Sequence, residues 1–122
     1  MKSARILVVE DDHASVEMLI RLFKSAGHET IAAETAEQGF EAASKGVYDI
    51  VLLDQVLPGA TGMQSLRQLR SLTRAPIYLM SGYTAEDTRV DAELLGARGF
   101  LPKPLDVAEI LKIIAELPER RA

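Results

Sequence analysis

Five short apolar runs, separated by stretches of helical periodicity, leave this chain few ways to fold. Ile6 to Val9, Ile50 to Leu53 and Ile77 to Met80 are continuous runs of aliphatic and β-branched residues, with one tyrosine. Each is too short for a helix and lacks polar alternation, so each reads as a strand covered on both faces. Glu29 to Ala33 and Gly99 to Leu101 read as shorter strands. Between them, apolar residues recur at helical spacing. Val16, Leu19, Ile20, Phe23 and Ala26 form one such stripe, stopped by Gly27. Thr35 with Gln38 predicts a capping box for a helix through about Ser44. A helix from about Met63 to Leu72 carries Leu66 and Leu69 inward. Thr84 and Asp87 can cap the next helix, which runs to about Leu95. Asp106 with Glu109 caps a last one, striped by Ile110, Leu111, Ile113, Ile114 and Leu117.

Strict strand–helix alternation implies parallel strands joined by right-handed crossovers. The predicted architecture is therefore an α/β, doubly wound, five-stranded parallel sheet with helices on both faces. The 122 residues suffice for one domain, residues 1–122, with its own core. The absence of cysteine excludes disulfides, thiolate metal sites and cysteine nucleophiles. A net charge of −4 with scattered basic residues shows no nucleic-acid footprint. The four-residue apolar run near the amino end is interrupted by Glu10-Asp11-Asp12, too soon for a signal peptide or membrane span. The expected location is the cytoplasm.

In a parallel sheet all carboxyl ends share one rim, where open α/β sheets place their ligands. Those ends read Glu10-Asp11-Asp12, Asp54, Ser81 and Lys103. Asp54 has two readings: it begins a turn into the Pro58, Gly59 and Gly62 loop, or it is the chemical centre of the chain. The acidic triplet likewise has two: a cap favouring the next helix dipole, or part of a cation site. Asp12 is assigned the cap. Two carboxylates about 5 Å apart repel by roughly 3 kcal/mol at an effective dielectric near 20. A hard divalent cation relieves this, and carboxylates with a backbone carbonyl and water suit Mg²⁺. A carboxylate beside such a cation and an ammonium is a plausible nucleophile toward phosphorus. Lys103 would then neutralise the equatorial oxygens, and Ser81 would donate a hydrogen bond to one of them.

Together these motifs resemble the receiver domain of two-component response regulators, across essentially the whole chain. Val8-Val9-Glu10-Asp11-Asp12 is similar to that family's acidic motif. Leu53-Asp54, with Leu57-Pro58 and Gly62, is similar to its phosphoacceptor loop. Met80-Ser81-Gly82 is similar to its hydroxyl position, and Phe100-Leu101-Pro102-Lys103-Pro104 to its lysine–proline motif. The resemblance implies a flavodoxin-like fold with strand order 2-1-3-4-5. It implies that Asp54 accepts a phosphoryl group from a histidine kinase or a histidine phosphotransfer protein. Asp11 and Asp54 would ligate Mg²⁺ directly, Glu10 through water, and the Val56 backbone carbonyl would complete the protein ligands. Ser81 and Lys103 would contact phosphoryl oxygens, Phe100 would be the aromatic switch, and the bond before Pro104 would be cis.

The implied role is regulatory: phosphorylation changes a surface read by a downstream protein target, and the chain catalyses only its own phosphorylation and dephosphorylation. No direct contact with nucleic acid or membrane is expected. A stand-alone regulator and a receiver attached to a hybrid histidine kinase both fit. Three departures from the family pattern stand out. Gln55 takes a place usually apolar, Thr61 replaces a frequent acid, and Phe100 has no hydroxyl. Val56 and Tyr83, two residues past Asp54 and Ser81, are neither acid nor amide and cannot orient a hydrolytic water, so self-dephosphorylation is expected to be slow. The alternatives are a degenerate receiver that acts without phosphate and an aspartyl-nucleophile phosphohydrolase. The second would want an acid where Val56 stands. A flavodoxin-like cofactor binder would want a phosphate-cradling loop where the three acids stand.

Overall fold

The computed structural model describes residues 1–82 and 86–119, with only the backbone over 86–89. Tyr83 and the caps expected from Thr84 and Asp87 lie outside the described residues. In chain order the elements are β1 Arg5–Val9, α1 His13–Ser25, β2 Glu29–Ala33, α2 Ala36–Lys45, β3 Ile50–Asp54, β4 Val56–Leu57, β5 Ala60–Thr61, α3 Gly62–Leu72, β6 Ile77–Ser81, α4 Glu86–Leu94, β7 Gly99–Pro102 and α5 Val107–Ala115. The main sheet is parallel throughout, in the order β2-β1-β3-β6-β7. Counting only those five strands, this is the expected 2-1-3-4-5 order of a flavodoxin-like fold.

The alternation of each strand divides the core in two. Leu7, Val9, Val51, Leu53, Ile77 and Leu79 face Ala36 and Ala43 of α2, Leu66 and Leu69 of α3, and Ala92 of α4. Ile6, Val8, Ile50, Leu52 and Met80 face Leu19 and Phe23 of α1, and Ile110 and Ile114 of α5. Every residue of β3 is buried, because it is the middle strand and both its faces are covered.

Three local expectations need correction. Ile20 is exposed, because the buried stripe of α1 runs through Leu19 and Phe23 with Leu22 at its margin. The Gln38 side chain accepts from the Glu34 N–H rather than completing a box on Thr35, although Thr35 Oγ1 does accept from Gln38 N–H. The loop after Asp54 is a small antiparallel hairpin, with Val56 opposite Thr61 and Leu57 opposite Ala60. Gly59, at φ +72°, makes its turn. Thr61 then closes a complete capping box with Gln64: its Oγ1 accepts from the Gln64 N–H at 3.1 Å, and its own N–H donates to Gln64 Oε1 at 2.9 Å. A Thr-x-x-Gln spacing carries that signal in the sequence.

Gly62 brings α3 up beneath the end of β3. A β-carbon there would lie 2.7 Å from both the Asp54 carbonyl oxygen and Gln55 Cα, and 2.8 Å from Leu79 Cδ1. Two of those neighbours are backbone and cannot swing aside. Gly62→Ala is therefore expected to cost about 1–3 kcal/mol and to displace the Asp54 segment. A urea midpoint equal to that of the unaltered protein would contradict this packing.

The start of β1 is held by an imidazole. Ala4 N–H donates to His28 Nδ1 at 3.0 Å. Burial first, then the Met1 ammonium, lower the His28 pKa, while Asp49 opposes them. A folded-state pKa below the unfolded one means the unfolded chain binds more protons as the medium turns acid. The contribution is complete above pH ~6.5 and is lost as pH falls through the folded value. Replacing His28 by Gln, whose amide oxygen can still accept, should flatten the stability slope between about pH 7.5 and about pH 5. Identical slopes in urea titrations of the two proteins would refute the assignment.

Candidate functional site

The parallel sheet delivers acids, a hydroxyl and an amine to one rim from different strands. Glu10 follows β1 and is anchored by its N–H to the Ala33 carbonyl at 2.9 Å. Asp54 is the last residue of β3, lying in register with Met80, and Gln55 N–H then donates to the Met80 carbonyl at 2.8 Å. Ser81 ends β6. Lys103 follows β7, and its N–H donates to the Ser81 carbonyl at 2.8 Å. These candidate residues are thus held at or beside their strand ends by backbone bonds to neighbouring strands, beyond the reach of their own local sequence.

Side-chain geometry joins Glu10, Asp54 and Lys103. Lys103 Nζ lies 3.1 Å from Asp54 Oδ1 and 3.3 Å from Glu10 Oε1. Glu10 and Asp54 are buried, with side chains only 2% and 7% exposed, while the Lys103 side chain keeps 31% of its surface. Carboxylate oxygens of Glu10, Asp11 and Asp54 all lie within 4.8 Å of one another, and Asp11 is the exposed member. Asp12 turns away from this cluster to cap α1, accepting from Ser15 N–H at 3.3 Å and the Ser15 hydroxyl at 2.5 Å.

The electrostatics follow from this crowding. Burial, reinforced by Asp54, raises the Glu10 carboxyl to about 8, and Lys103 only partly offsets the rise. For Lys103, burial works against the ammonium, but the hydrogen bond and charge of Asp54, with Glu10, outweigh it and raise its pKa. One ammonium therefore faces more carboxylates than it can balance. Glu10 Oε2 is buried without a hydrogen-bond partner among the described residues. A buried, unpaired carboxylate oxygen beside two further carboxylates offers oxygen donors that suit a hard cation.

The remaining expected residues take these places. Ser81 is buried at 1% exposure beside the cluster's strand. Val56 is 59% exposed, at the start of the hairpin. Phe100 lies on β7 opposite Leu79, half-buried against the core face of α2, α3 and α4. The Lys103–Pro104 bond is cis.

Comparison with known proteins agrees with this architecture. The family model described as "Response regulator receiver domain" matches residues 6–115. "Transcriptional activator protein PfeR" of Pseudomonas aeruginosa is 39% identical over 108 residues, which are 88% of this chain but 35% of that protein. The chain thus spans about a third of the length of that curated relative. "Protein PilH" of the same organism is 33% identical over 114 residues, covering 91% of this chain and 94% of its own. The receiver domain of sensor histidine kinase PA1611 from P. aeruginosa, solved with a magnesium ion in its active-site cleft, superposes with a TM-score of 0.83. It is 24% identical and covers 94% of this chain and 95% of that one. Among the described residues no helix is long and apolar enough to cross a membrane. A doubly wound parallel sheet, an acid–lysine cluster at its carboxyl rim and a family match over nearly the whole length lead to one conclusion: the chain belongs to the response regulator receiver domain family, a regulatory family of two-component signalling.

Proposed function

We propose that residues 1–122 form one phosphoacceptor signalling domain, in which Asp54 takes a phosphoryl group from a phosphohistidine of a histidine kinase or histidine phosphotransfer protein. The observation that carries this reading is the Lys103 ammonium standing within 3.3 Å of both Glu10 and Asp54, which come from two other strands. The acidic cluster fits Mg²⁺, since all its side-chain donors are oxygen and Glu10 Oε2 has no partner among the described residues. The magnesium in the PA1611 receiver supports the same choice. Asp11, Asp54 and the Val56 carbonyl would hold the ion, with Glu10 acting through water. The bound cation would supply positive charge to the phosphoryl oxygens.

The chain's own groups account for the rest. An Asp54 carboxylate oxygen forms the new bond to phosphorus as the phosphorus–nitrogen bond of the donor breaks. The electron pair leaves on the imidazole nitrogen, which takes up a proton. Lys103 neutralises charge on an equatorial oxygen in a partly water-excluded setting, where electrostatic stabilisation is strongest. Ser81 would donate a hydrogen bond to another. Recruitment of Ser81 and repacking near Phe100 would convert the new charge into a changed surface for a downstream partner. A few charge-assisted hydrogen bonds suffice to shift such a two-state surface.

Incubation with acetyl phosphate and Mg²⁺ should add one phosphoryl mass, lost on chelation of the metal and in Asp54→Asn. Absence of the adduct at saturating Mg²⁺ would favour a receiver that acts without phosphate. Val56 is apolar and 59% exposed beside the expected path of water, so nothing at that position orients a hydrolytic attack. The phosphorylated form should accordingly persist for minutes or longer once the donor is removed. Decay within seconds, followed by intact-protein mass spectrometry, would count against this assignment of Val56.

A further inference from the structure

The amino-terminal rim of the sheet, on the opposite edge from Asp54, carries two adjoining cavities. One, of about 400 Å³, has Tyr48, Asp49, Arg74, Arg98, Leu117 and Glu119 in its walls. The other, of about 230 Å³, adds Val47 and Leu72 and shares Tyr48, Arg74 and Ala75 with the first. The segments that lead into β3, β6 and β7 supply most of this groove, with the end of α3 and the residues after α5. Asp49 precedes β3 and Asp54 ends it, so at about 3.3 Å per residue the two rims stand roughly 16 Å apart.

Two features of the groove are left uncommitted by the chain itself. Val47 is 67% exposed and Leu72 37% exposed, which leaves apolar surface at one end. The guanidinium groups of Arg74 and Arg98 make no hydrogen bond or ion pair among the described residues. The acids of the same wall are engaged. Asp49 Oδ2 accepts from the Arg5 N–H at 2.7 Å. Glu119 Oε1 accepts from the Lys2 N–H at 3.2 Å and lies 3.9 Å from the Met1 ammonium. The free charge here is therefore positive, on a chain whose net charge is −4. A planar guanidinium takes a carboxylate through two parallel N–H donors. The two arginines form a local pair rather than a basic track, which does not suit a nucleic-acid backbone. Apolar surface beside them calls for a ligand that offers aliphatic side chains along with its acids.

We infer that this groove docks an extended acidic segment of a partner protein, with carboxylates on Arg74 and Arg98 and an aliphatic side chain against Val47 and Leu72. Because the groove lies on the far rim, docking needs no phosphoryl group on Asp54 and leaves the acidic cluster open. The test selects a random heptapeptide display library against the full chain, with depletion on the Arg74→Gln, Arg98→Gln double variant. Enriched peptides should combine acidic and aliphatic residues. Their affinity, read by fluorescence anisotropy, should fall at least about tenfold in the double variant and decline as salt is raised. Leu72→Ser should weaken them several-fold, and Asp54→Asn should leave them unchanged. Both arginines are exposed, so the double variant should keep the urea midpoint of the unaltered protein. Failure to enrich acidic peptides, equal binding to the double variant, or loss of binding in Asp54→Asn would overturn the inference. Acetyl phosphate labelling reads the Asp54 site separately, so either conclusion can fail alone.

Discussion

The Lys103 ammonium between Asp54 and Glu10 is the contact on which the rim depends. Carboxylates from two neighbouring strands are brought together in a buried setting, where repulsion between like charges is only weakly screened. Removing the ammonium would leave them without an ion-pair partner among the described residues. A buried ion pair is weak evidence for stability, since desolvation offsets much of its attraction. Its meaning here is chemical: the cluster retains more negative charge than one lysine can balance, and the proposed cation would offset the surplus.

The fold makes this arrangement by simple means. Parallel strands end on one edge, and the backbone bonds from Gln55 to Met80 and from Lys103 to Ser81 lock adjacent ends in register. Gly62 lets α3 approach the carbonyl of Asp54 more closely than any side chain would permit. The hairpin of β4 and β5 and the Thr61–Gln64 box then set where α3 begins, so the segment carrying Val56 is held at both ends. Structural glycine, cap and hairpin converge on the segment that carries Asp54 and Val56.

Much of this was legible in the chain. The apolar runs of β1, β3 and β6 announced a sheet covered on both faces, and Asp12 was readable as a cap because it precedes a helical stripe. Ile20 misled, since helical spacing alone does not reveal which edge of a stripe meets the sheet. Gln38 misled in another way, because a long amide can satisfy the N–H of Glu34 as readily as that of Thr35. The β4–β5 hairpin escaped notice because its two-residue strands are too short to show a period. Its sign was only a proline and glycines, common to many loops.

By itself the sequence determined the order of elements and which residues stand at strand ends, because periodicity and capping act over a few neighbours. It also supplied the types of group available for chemistry. Only the tertiary structure decided that Lys103 reaches Asp54 and Glu10, that Glu10 is buried while Asp11 is exposed, and that Arg74 and Arg98 share one cavity. Those distances are set by strand register and by the packing of helices on both faces. Both are cooperative properties of residues far apart in the chain, and no local pattern encodes them.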